Sequence, residues 1–136
     1  MRSKERGQAM VEFLLSAIFL FILIFGMVQT IVIVYAFVEM AQAAKAGVRY
    51  AIVHGSRSGL PSTEANPTGV KNAVINYSRI LSGCSATCIE VDYLDAGDSN
   101  AAPNRVRVRV TYPFTMLGLG WTLPTIRASA VGRITF

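Results

Sequence analysis

From Phe13 to Val38 the chain runs 26 residues without a charge, broken only by Ser16, Gly26, Gln29 and Thr30. A bilayer core of roughly 30 Å needs about 20 apolar helical residues, so this run spans it with length to spare. A secretory signal peptide has a shorter apolar core, roughly 7–15 residues, followed by a small-residue cleavage site. Here the run is longer and more helical sequence follows it, which predicts a retained transmembrane helix over 13–38. Beyond it, "EMAQAAKAGVRYAIVHG" keeps a helical period. Met40, Ala44, Gly47, Val48, Ala51 and Ile52 share one face, and Gln42, Lys45 and Arg49 another. No proline interrupts Gln8–His54, and a helix of that length measures about 70 Å, more than twice the hydrocarbon thickness. The first half therefore sits in lipid and the second half stands above it as a spine.

The glycine- and serine-rich stretch "SRSGLPSTEANPTG" ends that helix. Asn66-Pro67 reads as an N-cap with proline in the first turn. Val70, Val74, Tyr77 and Leu81 then mark the apolar stripe of a short helix ending at Gly83. The remainder alternates with period two. "CIEVDYL" sets Ile89, Val91 and Tyr93 against Glu90 and Asp92, and "RVRVRVTY" sets Val106, Val108, Val110 and Tyr112 against Arg105, Arg107, Arg109 and Thr111. The loop "DAGDSNAAPN" joins them as a hairpin. "IRASAVGRITF" adds a third strand, with Ile126, Ala128, Ala130, Ile134 and Phe136 inward and Arg127 and Arg133 outward. Three strands with one apolar face need a covering helix, and the exported half of the long helix is the obvious one. The expected fold is α+β: a long N-terminal transmembrane and spine helix, with a small antiparallel sheet and a short helix packed on its exported half. The expected divisions are a leader over 1–7, the long helix over 8–55 and an exported domain over 56–136.

Composition agrees with a membrane. Hydrophobic residues make up 52% and charged residues 15%, against about 25% charged in soluble domains. Arg2, Lys4 and Arg6 precede the apolar run against a single acid, Glu5, so the N-terminus is expected in the cytoplasm and the rest exported. Setting those four residues aside lowers the formal charge from +5 to +3, ten basic against seven acidic residues. That balance is a weak argument for nucleic acid.

Catalytic chemistry finds little support. His54, the only histidine, has no Cys or Asp beside it and reads as a helix-end residue near the last carbonyls. No phosphate loop, nucleophile set or metal-ligand spacing stands out, so neither an enzyme nor a cofactor nor a metal is expected. "GLG" at 118–120 lies in an apolar loop outside any nucleotide-binding context. Cys84 and Cys88 fall in the exported part, where an oxidising compartment favours a local disulfide over two reduced thiols. Arg105, Arg107 and Arg109 are expected on one solvent face, paired with Glu90 and Asp92, rather than as a phosphate-binding stripe. The apolar loop 113–125 reads equally as a contact surface or as cover for the domain's own core.

One residue contradicts the greasy run. Glu12 sits at its mouth, and a carboxylate in hydrocarbon costs several kcal/mol unless it finds a partner. Cleavage after Gly7 would create an ammonium on Gln8, four residues back on nearly the same helical face. The same ammonium on a neighbouring subunit would neutralise both groups in lipid and set the register between helices. "RGQAMVEF" resembles the processing site of prepilin-like proteins. Together with "AAKAGVRYAIVHG", the alternating strands and "ASAVGRITF", it is similar to the TadE-like branch of the tight-adherence (Tad) pilus system. The resemblance implies a bond between Gly7 and Gln8 cut by a prepilin peptidase, with Glu12 and Phe13 serving processing or assembly. It further implies a minor pseudopilin of the bacterial inner membrane with a periplasmic domain, extracellular once assembled into a pilus. Its partners would be other pilin helices, the peptidase, the assembly platform and the bilayer, with a homo-oligomer or filament as one outcome. Two alternatives stand beside it: a main filament-forming pilin, and an uncleaved single-pass anchor carrying a binding domain.

Overall fold

With no proline in its path, the first segment propagates as one helix, α1, from Arg2 to Val53. The computed structural model describes residues 2–58, 62–63, 66–78, 81, 86–95, 100–113 and 125–135, with side chains on α1 from Gly7 onward. After α1 come α2 (Thr68–Tyr77), a 3₁₀ turn (Ala86–Cys88) and three strands, β1 (Ile89–Tyr93), β2 (Arg105–Tyr112) and β3 (Ile126–Arg133). The chain divides into two compact units, Met1–Val34 and Tyr35–Phe136.

The first unit is helix throughout its described length and turns its apolar side chains outward. Phe13 is 76% exposed and Phe21 71%. A surface of that extent and chemistry belongs in lipid. Within Gly7–Val53 the helix is long and apolar enough to cross a membrane. Its few polar groups must then be satisfied locally. Thr30 does so by donating its hydroxyl to the Gly26 carbonyl, 2.9 Å away.

The second unit is held by one core. The strands form an antiparallel meander in the order β1-β2-β3, with Val91 opposite Val108 and Val108 opposite Ala130. Period two buries Ile89, Val91, Tyr93, Val106, Val108, Val110 and Ala128 on one face. Against it pack Met40, Ala44, Val48 and Ala51 of α1 together with Val70 and Val74 of α2. The architecture is therefore α+β, with the far end of the long helix covering the sheet.

Two glycines permit that close approach. A Cβ on Gly47 of α1 would lie 2.5 Å from Val74 Cγ2 and 3.3 Å from Val108 Cγ1. One on Gly132 of β3 would lie 2.5 Å from Val48 Cγ1. Helix and sheet thus meet nearly backbone to side chain at both points.

The end of α1 is tied into the same unit. Ser62 N–H donates to His54 O at 2.9 Å, and Thr135 N–H to Ile52 O at 3.4 Å, so distant segments satisfy its last carbonyls. His54 stacks on Tyr50, 3.9 Å between ring centroids. Its Nδ1 lies 2.9 Å from Tyr50 O, a position that requires the hydrogen on that nitrogen. The helix-end reading of His54 holds.

The short helix differs from expectation in two ways. It stops at Tyr77, where Ser78 turns extended, so Leu81 is buried from beyond the helix and Tyr77 stays 53% exposed. Asn66 makes no side-chain cap. The cap position falls to Pro67, because the Asn66 Oδ1 accepts instead from the Thr68 hydroxyl at 2.8 Å. Gly83, Phe136 and most of the 113–125 loop lie outside the described residues.

Candidate functional site

The residues singled out near the N-terminus lie on one uninterrupted stretch of α1. Gly7, Gln8, Glu12 and Phe13 are all exposed, and Gln8 and Glu12, four apart, sit on nearly the same face. A Cβ on Gly7 would meet nothing within 4 Å. Glycine costs a helix roughly 1 kcal/mol relative to alanine, and this chain's own packing gives no reason to accept that cost at Gly7. Glu12 makes no ion pair among the described residues.

Residues 7–49 match the family model of TadE-like proteins. The match opens at Gly7 and closes at Arg49, inside α1; it bears out the resemblance read from "RGQAMVEF" and reaches the first half of "AAKAGVRYAIVHG". No curated protein and no solved structure matches the chain. Over those residues the chain is similar to TadE-like proteins, and the likeness is confined to α1. With the apolar helix of Gly7–Val53 it supports membrane anchoring. The TadE-like stretch holds Glu12 and Phe13 and the first half of the spine, and leaves every strand outside it.

Outside that stretch the chemistry is electrostatic. The outward face of the sheet carries Arg105, Arg107 and Arg109 of β2, as the alternation requires. Arg109 Nη1 meets Glu90 Oε2 at 2.9 Å, a pair both of whose side chains are open to solvent and which contributes at most about 1 kcal/mol. Asp92 stands opposite Arg107 in the register, yet no ion pair closes between them among the described residues. Arg105 takes a partner that the strand pattern does not reveal. Asp95, two residues beyond β1, accepts from Arg105 Nη2 at 3.0 Å and from its backbone N–H at 2.6 Å. The acid sits in the hairpin connection, where period two no longer says which way a side chain points.

Those hydrogen bonds from Arg105 hold the Asp95 carboxyl below its ordinary range, with a smaller contribution from Arg133. A carboxyl lowered on folding stabilises the fold above its unfolded pKa, near pH 4, and loses that contribution as the pH falls through its folded value. Asp95→Asn should therefore remove a small, salt-sensitive part of the acid-side loss of stability below about pH 4. Thermal melts across pH in low and high salt read it, and an unchanged acid limb contradicts the assignment.

Cys88 closes the 3₁₀ turn, half-buried, and is not a free thiol. Cys84 lies outside the described residues. Among the described residues no group of three His, Cys, Asp or Glu side chains is placed to hold a metal ion.

Proposed function

We propose that this chain is a minor pseudopilin, a structural subunit of a Tad-type pilus and secretion machine. It is cut between Gly7 and Gln8 by a membrane prepilin peptidase and assembles through its N-terminal helix. The observation that carries the reading is the start of the TadE-like match at Gly7, a glycine the chain's own packing does not use. Five residues on, an exposed carboxylate interrupts an otherwise apolar surface.

Physical chemistry connects these features. In this reading Gly7 is the small residue that precedes the cut. The cut produces an ammonium on Gln8, and that ammonium neutralises Glu12 on the same helix or on a neighbour. Phe13 and the apolar residues after it supply the lipid- and helix-facing surface. In this reading the basic leader holds the N-terminus in the cytoplasm, and the three-stranded domain stands in the periplasm, or outside the cell after assembly.

N-terminal sequencing of the protein isolated from its own host tests this directly. Mature chains should begin at Gln8, and chains that still begin at Met1 would remove processing from the account. Export also places Cys84 and Cys88 in an oxidising compartment, where we propose that they pair. A thiol-reactive label should add to neither cysteine before reduction and to both after it. Labelling of native protein without a reductant argues for cytoplasmic residence.

A further inference from the structure

The two ends of the sheet carry opposite charge. β1, at one end, presents Glu90 and Asp92 on the outward face. β3, at the other, presents Arg127 and Arg133 there, with Ser129 and Val131 between them. The register sets the imbalance. Arg133 faces Arg105, and Arg127 faces the uncharged Thr111. Arg105 already holds Asp95, and neither β3 arginine makes an ion pair among the described residues. Like charges directly opposite each other across a ladder are unfavourable. The β3 end is therefore a place where an added carboxylate gains and an added cation loses.

Both end strands also lack a strand neighbour on their outer side among the described residues. β3 runs eight residues, with Val131 53% exposed. Edges of that length normally pair with something or are blunted. Inside the fold, the chain already sets an acid-bearing strand beside an arginine-bearing one, β1 on β2, with Glu90 and Arg109 closing at 2.9 Å.

We propose that the β3 edge of one copy receives the β1 edge of a second copy, extending the sheet from subunit to subunit. Glu90 and Asp92 of the incoming strand, two residues apart, fall between Arg127 and Arg133, six apart, opposite the uncharged Ser129 and Val131, where the arginines flank them on both sides. The contact is heterologous, each copy using a different edge, so it propagates rather than closing as a dimer. It rests on the pilus-subunit reading but adds a head-to-head contact to it, independent of the match over α1.

The full chain in phosphatidylcholine vesicles, with a photo-crosslinking amino acid at Ser129, tests the junction. Wild type should give a ladder of oligomers whose cross-links map to residues near β1. R127E/R133E and E90K/D92K should each lose the ladder at least tenfold, because each gives both ends one sign. Mixing the two variants should restore it, since each then offers the end the other lacks. Circular dichroism confirms that each variant folds. If E90K/D92K does not fold, R127E with and without added salt carries the test alone. An undiminished ladder in R127E/R133E overturns the proposal, as do wild-type cross-links that map only to α1. Both of those results leave the pseudopilin reading intact, whereas chains found to start at Met1 would weaken that reading and not this contact.

Discussion

Glu12→Ala is expected to reduce the amount of chain recovered in assembled pilus structures roughly a hundredfold, while leaving it folded and in the membrane. Breaking a carboxylate–ammonium pair removed from water costs about 3 kcal/mol or more, because the surviving charge is left without its partner, and that corresponds to about two decades in an association constant. The loss should appear as unassembled protein in the inner-membrane fraction, or as uncut precursor if the peptidase also reads the carboxylate. Glu12→Gln, which keeps the size and removes the charge, should fail as badly as alanine. Glu12→Asp should recover part of the function. An uncleaved anchor is expected to tolerate loss of the charge. Wild-type assembly of Glu12→Ala therefore favours the anchor over the pilin.

Gly47→Leu should act on the other unit and through a different force. The first added carbon already falls 2.5 Å from Val74 Cγ2, and three more must follow it into the space held by Val70 and Val108. Removing a helix glycine returns nearly 1 kcal/mol of propensity. Overpacking a filled core costs about 1–3 kcal/mol, and here several elements must separate at once, so the cost falls at the upper end and wins by roughly 2 kcal/mol. Against a total stability of about 5–15 kcal/mol, thermal melts of the detergent-solubilised chain should show a large fall in midpoint. Membrane insertion, which we assign to residues 13–38, should not change. Gly26→Leu is the control, because a Cβ there meets nothing within 4 Å. If the two variants melt alike, the close helix–sheet approach at Gly47 is refuted.

These two residues also mark the boundary between what could be read directly and what could not. Glu12 stood out because one charge in an apolar run violates a strong rule, and no folded structure was needed to see it. Gly47 read only as one position on the apolar face of the spine, with nothing in the sequence to mark a closer contact than at Gly26. Only the arrival of Val70, Val74 and Val108 from distant parts of the chain separates the two. The strands were legible for a similar reason. Strict alternation in "RVRVRV" leaves one register that buries the valines, and the observed one buries Val106, Val108 and Val110.

The chain's linear order was enough to determine the membrane-spanning helix, its continuation as a spine, the three-stranded meander and the odd carboxylate at the helix mouth, because periodicity and hydropathy act over neighbouring residues. Tertiary structure decided the rest: where α2 stops, which acid holds Arg105, how closely Gly47 and Gly132 let the layers meet, and that the sheet ends in opposite charges. Those outcomes depend on which segments meet in space, and a carboxylate in a turn or a glycine in a helix carries no local signal of its eventual neighbour.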